Sequence, residues 1–422
     1  MKNIALYFVV FILMSCNSVR KESSQPIRLE IQQLTHGNKH HFFGYIGQCL
    51  TIPWNAGNRY VLGLEIDRID RMPHPQDSAR VFIIDTKNDN EIIYLDKTNA
   101  WNPQQGTMFF WNPNAAETQF FFNDRDVETG EVYTVLYDIK LKKRIKEYRY
   151  DNVHIANGGV ASDGSFFMAL NYGRLARLRL VTGYPGALDW SKDDLAPEDD
   201  GIFKVDIETG EKELIVSYKQ MEDEIKKKNT DYIHSGLFVN HTLLNRNASR
   251  LYFFARAGWG VDDVRDVRTN IPFTVNLDGS NLKQHDLHIG GHPEWGEGTI
   301  MIGREGKSQI FYDVDKQEVV GQIGTSELFP NPEGDISLSP EGDWFVNGFM
   351  DAMNDGSENF YAFYRQSDST YIRSIGMGRG SYRGDIRIDP APRWNRTSDA
   401  ILVPGIDSNQ TRQMFVIKLI EE

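Results

Sequence analysis

The chain has 422 residues, 40% hydrophobic and 12% aromatic, which supports one large domain or two ordinary ones and excludes global disorder. Lys and Arg number 46 against 59 Asp and Glu, a formal net charge of -13, so no uniform basic field exists to hold a nucleic-acid partner. With only two cysteines a disulfide framework is excluded.

At the N-terminus, Lys2 precedes an apolar run from Ile4 to Met14 that is too short to span a bilayer and has the length of a signal-peptide core. It runs into Leu13-Met14-Ser15-Cys16, which resembles the bacterial lipoprotein processing box, with Met14 off pattern. The resemblance implies a signal over residues 1–16, a lipid on Cys16 and a flexible polar tether over residues 17–29. The protein is then expected in the bacterial envelope, periplasmic or at the cell surface, held to the membrane by that lipid. Cys49, the remaining thiol, reads as a small buried hydrophobe.

Next comes "HHFFGYIGQ", residues 40 to 48, where His40 and His41 stand before an aromatic run. Histidine beside aromatics is more often packed than chemical, and neighbours on a strand point to opposite faces. Beyond it the chain is a series of short apolar strands entered through turns: "NAGNRYVLGLEI", "NAAETQFFFND", "SDGSFFMALN", "RNASRLYFFAR", "SPEGDWFVNGF" and "NRTSDAILVPG". Second strands with acidic or Gly turns follow, as in "FKVDIETGEKELIV" and "IFYDVDKQEVVGQI". The stretch 218–232, "YKQMEDEIKKKNTDY", is the one clear helical pattern.

With the diverged "EWGEGTIMIGREGKSQIFYDV", the units number seven between residues 30 and 422, at a period of about 50 residues. Four-stranded units at that period predict an all-β, seven-bladed β-propeller with the segment after residue 30 completing the last blade. A two-domain β-sandwich is the alternative. Propellers bind ligands on loops at the channel mouth, so polar residues flanking the strands are the candidates. "GMGRGSYRG" (376–384) opens no helix and reads as a connection between blades.

"HHFFGY", "WNPQQGTMFFW", "NDR", "LNYGRLARL", "TGYPG", "DDLAPEDDGIFKVDIETGE", "FVNHTLLN", "GHPEW" and "DPAPRWN" occur in this order. Together they resemble seven-bladed propeller polysaccharide lyases of the ulvan and oligogalacturonate lyase kind, and relatives that cleave rhamnose from glucuronic acid. The likeness runs over nearly all of residues 35 to 420. It implies β-elimination at a uronic acid, which needs a cation at the carboxylate, a base at C5 and an acid at O4.

Anchoring on Asp163-Gly164, the resemblance places Arg174 on the family's carboxylate-binding Arg and Gly158 where a Tyr is expected. The family's His pair falls on Gln105 and Asp124, so the usual machinery is incomplete. Arg174, Arg177 and Arg179, with Tyr172 and Tyr184, are expected on a strand and its exit loop, contacting an acidic sugar. His241 and Arg256 are candidates for acid–base and substrate contact. His292 resembles a metal position; with Asp335 it implies a divalent metal, zinc or calcium.

In the rhamnose-releasing relatives a His on the opposite face does the chemistry, and His40 or His41 is its candidate here. Three functions therefore stand. The first is elimination on uronic-acid-containing oligosaccharides, as lyase or dehydratase. The others are α-L-rhamnosyl–glucuronate hydrolysis and non-catalytic glycan binding by a propeller. The expected partner is an acidic oligosaccharide or polysaccharide, and the expected state a monomer.

Overall fold

The computed structural model describes residues 27–44, 47–260, 268–332, 334–350 and 356–421. Their strands form seven antiparallel sheets arranged as a β-propeller, as the repeat count predicted. From the channel outwards, blade 1 holds His40–Phe42, Tyr60–Ile66, Ala79–Asp85 and Glu91–Thr98. The innermost strands of blades 2 to 7 are Phe110–Trp111, Ala156–Val160, Phe238–Leu244, Gly290–Trp295, Asp335–Leu338 and Arg393–Trp394. Inner strands are buried on both faces between neighbouring blades, whereas the outermost strand of blade 2, Lys143–Tyr148, alternates exposed and half-buried residues. The middle strands, such as Phe166–Leu170 and Arg250–Ala257, are buried too and read as apolar runs, whereas the outer ones alternate.

The repeated turns have a shared cause. Asn55 Oδ1 accepts from the Arg59 and Tyr60 N–H groups, and Asn245 does the same for Ser249 and Arg250. Asn395 repeats it with Asp399 and Ala400. A short side-chain acceptor closes each tight turn into a blade's second strand, so the sequence repeats Asn there. Indoles then join blades: Trp295 Nε1 donates to Leu243 O at 2.7 Å and Trp394 Nε1 to Ser337 O at 3.1 Å, each on the preceding blade.

Ring closure comes from the N-terminal strand Ile27–Gln33, which pairs antiparallel with Arg412–Glu421 from Ile27↔Glu421 to Gln33↔Phe415. This corrects the expected boundary: the propeller takes up Ile27, Arg28 and Leu29, which were placed in the tether. The signal, the rest of the tether and the lipid on Cys16 lie outside the described residues.

One helix interrupts blade 3 and a second links it to blade 4. Helix α1, Tyr172–Leu178, is capped by Asn171, whose side chain accepts from the Arg174 N–H. It replaces the strand expected there, because Asn at the N-cap and Leu at 175 and 178 specify a short helix of about two turns with a buried face. Helix α2, Tyr218–Lys228, starts in a capping box formed by Ser217 and Gln220 and ends four residues before the expected limit, at a C-cap on Asn229. Residues 379–392 connect blades 6 and 7, as read from "GMGRGSYRG".

Candidate active site

Going round the channel, the innermost strands of blades 3 to 7 present Gly158, His241, His292, Asp335 and Arg393. The register shifts between Asn157 and Gly159, Asn240 and Leu243, and Gly290 and Glu294, so the first three residues leave their ladders in equivalent bulges. His241 (φ 67°) and His292 (φ 45°) are held in the left-handed region, where a non-glycine residue is uncommon and clusters at functional sites. Their rings lie edge to face at 5.8 Å between centroids. His292 Nδ1 forms an ion pair with Asp335 Oδ1, and Asp335 Oδ2 accepts from the Ala391 N–H at 2.8 Å. Burial acts to raise the Asp335 carboxyl, but the His292 imidazole brings it below its ordinary value.

Around these groups the charge is basic. Arg256, near the end of a blade 4 strand, is 8% exposed and donates from Nε to Asn270 Oδ1 at 2.8 Å. Its guanidinium lies 5.5 Å from the Trp259 ring centroid, with Arg179 at 4.2 Å and Arg268 at 4.1 Å from the same ring. Arg387 pairs with Asp389 at 2.8 Å and meets Gln104. Burial and mutual repulsion push Arg179 down to about 10 and Arg256 down to about 9, so both stay charged at neutral pH. His241 is driven well below its ordinary value by burial, then by Arg256, His292, Arg179 and Arg393, and is neutral there. Asp389 is raised by burial and by Asp335.

Several expected site residues lie elsewhere. Arg174 is fully buried on α1 and donates to Leu237 O, Ser191 O and Oγ, Asp194 O and Leu195 O, with Tyr218 at 4.6 Å beneath it. That geometry holds the 191–195 loop and leaves no open fork for a sugar carboxylate. Tyr172 and Tyr184 are buried and stacked on each other at 4.3 Å, so neither offers a face to a sugar. Arg177 pairs with Asp189 at 2.7 Å in a surface groove lined by Gly130, Ala176 and Leu180, apart from the histidines.

Gln105 does reach the site: it lines a small cavity with Gly158 and His241 and donates to Asn240 Oδ1. A side chain at Gly158 would meet Thr242 Oγ1 at 2.8 Å, so the local packing requires the missing Tyr position to stay small. Asp124 accepts from the Tyr133 hydroxyl and Arg144 within blade 2.

His41 is 2% exposed, with Nδ1 at 2.8 Å from Gln413 Oε1 and Nε2 at 2.9 Å from Glu65 Oε2. Half-buried His40 accepts at Nδ1 from the Arg412 N–H. Both join blade 1 to the Arg412–Glu421 strand of blade 7, which is a structural task. Cys49 is buried as expected, and burial raises its thiol.

The metal expectation is met only as a pair. His292 and Asp335 do touch, but among the described residues no three His, Cys, Asp or Glu side chains converge to hold an ion. Guanidinium groups occupy the surroundings instead. These residues do not fit a zinc or calcium held by protein ligands, and no step below passes through a metal.

Trp259, Arg268, Arg387, Asp389, Arg393 and Arg412 had no assigned role in the sequence. The signal for two of them was inside "DPAPRWN", which contains Asp389 and Arg393.

No protein-family model matches the chain, and no curated protein does. Among solved structures, an oligogalacturonate lyase in complex with manganese superposes with a TM-score of 0.58 at 15% identity, over 94% of this chain and 97% of that one. The RRP9 WD40 repeats match with a TM-score of 0.46 at 7% identity, over 94% of this chain and 100% of that one. What the first likeness establishes is the fold, a seven-bladed β-propeller of the kind that forms an oligogalacturonate lyase.

Proposed function

We propose that this propeller is a carbon–oxygen lyase acting on uronic-acid-containing oligosaccharides at the mouth that holds His241. The observation that carries the reading is a neutral imidazole beside guanidinium groups that no carboxylate among the described residues pairs with. Arg256 and Arg179 bind the uronate carboxylate, which disperses the charge that develops when C5 is deprotonated. His241 takes the C5 proton. The C4–O bond then breaks as the C4=C5 double bond forms, and His292, oriented by Asp335, gives a proton to the departing oxygen. A sugar on that oxygen makes the enzyme a polysaccharide or oligosaccharide lyase; a free 4-hydroxyl makes it a dehydratase.

Carboxylate binding also completes the base. Anionic charge against Arg256 and Arg179 cancels part of the field that depresses His241, so the imidazole gains basicity when substrate is present. The fold of the solved lyase agrees with this reading without carrying it.

The test is incubation with galacturonate- and glucuronate-containing oligosaccharides, following the ultraviolet absorbance of the conjugated unsaturated uronate. Wild type should generate it, and His241→Gln should lower kcat by about 100-fold or more with an unchanged melting curve. Free rhamnose without absorbance would replace elimination by hydrolysis. Tight binding with no product would leave a glycan-binding propeller, the reading that Gly158 favours.

A further inference from the structure

Three guanidinium groups share Trp259, and the two that hold the carboxylate of the reacting sugar, Arg256 and Arg179, leave Arg268 over. Arg179, Arg256 and Arg268 are within 5.5 Å of that ring centroid, yet none has a carboxylate partner among the described residues. Arg387, beside Arg179, is the one that has, in Asp389. Concentrated like charge costs stability, and among the described residues Asp385 and Asp389 act on Arg179 from a distance without forming an ion pair with it. The indole does what a carboxylate would otherwise do. Its negative face holds cations together while their N–H forks stay available, because a cation over a ring is bound through charge and not through its donors.

We propose that Arg268, with Arg179 and Trp259, forms a second anion site next to the reacting uronate, so that the preferred ligand carries two anionic groups on adjacent sugars. The inference rests on the mouth being a uronate site. The second group is an oxyanion that accepts a guanidinium fork, either a sulfate ester or a further carboxylate. Trp259 is engaged by guanidinium groups and acts as their support, so the site selects on charge and oxygen geometry more than on sugar stacking.

Titration calorimetry tests this without turnover, using the His241→Gln protein. The probes are three disaccharides: one with a single uronate, one with two uronates, and one with a uronate and a sulfate ester. At least one doubly anionic probe should bind about tenfold or more tightly than the single uronate, and the preferred one identifies the second oxyanion. Arg268→Ala should erase that preference, and Arg268→Lys should retain only part of it, since the charge stays and the fork is lost. Arg268 is exposed, so the fold should tolerate both; if the alanine variant melts early, the lysine variant supplies the comparison. Equal affinity for all three probes, or a preference that survives both substitutions, overturns the proposal. A retained preference in a protein that yields no unsaturated product would remove the lyase reading alone. A working lyase with no preference would remove this one alone.

Discussion

Arg174 and Arg256 carry the same side chain and opposite tasks, and their acceptors make the difference. Arg174 meets four main-chain carbonyls and a hydroxyl in the blade 3 insertion and at the entry to blade 4, while Arg256 has one amide oxygen and the rings of Phe254 and Trp259. Arg174→Ala should therefore cost stability, about 3 kcal/mol or more, by removing these hydrogen bonds and stranding the buried Leu237 carbonyl. Arg174→Lys should recover little of it, and urea unfolding would measure both.

Histidine burial predicts a pH dependence at the same scale. His285 is 2% exposed between Thr274 and Tyr312, and burial with Lys283 and Arg250 lowers it from 6.5 to about 4. Its unfolded form takes up a proton near 6.5 while the folded form resists, so stability falls as the pH drops from 6.5 towards 4 and levels off below. The contribution is at most about 3 kcal/mol. Unfolding curves across that window should be flatter for His285→Gln than for wild type by this amount.

Among the elements, the closing strand has the most exposed role. Ile27–Gln33 gives seven residues to a ladder whose partner, Arg412–Glu421, is otherwise an open sheet edge. Removing residues 1–33 should lower stability by at least about 3 kcal/mol and promote association through the freed edge. Size-exclusion chromatography and melting would show it, and a peptide of residues 27–33 added in trans should restore the monomeric melting curve. Loss of this strand without effect would mean that the indole staples between blades hold the ring alone. The Asn55, Asn245 and Asn395 turns were legible because one local hydrogen-bonding solution recurs in blades 1, 4 and 7. Helix α1 was not, since about two helical turns after a strand are too few residues to show a period.

For the whole molecule, the -13 charge and the basic mouth are consistent because they belong to different scales. Exposed acids set the net charge, whereas Arg179 comes from the end of α1 in blade 3, Arg256 from a blade 4 strand and Arg268 from just before the next one. Residue order by itself determined the strand repeat, the blade number and the all-β class, because each blade needs the same alternation and the same turns. It also singled out His241, His292 and Asp335, which stand on innermost strands within recognisable segments. Only the tertiary structure decided which arginines face the channel, that Tyr172 and Tyr184 stack on each other, and that His41 ties blade 1 to Gln413. Those outcomes depend on which acceptors and rings lie across the ring of blades, up to 372 residues away in the chain, and no local pattern encodes a contact at that separation.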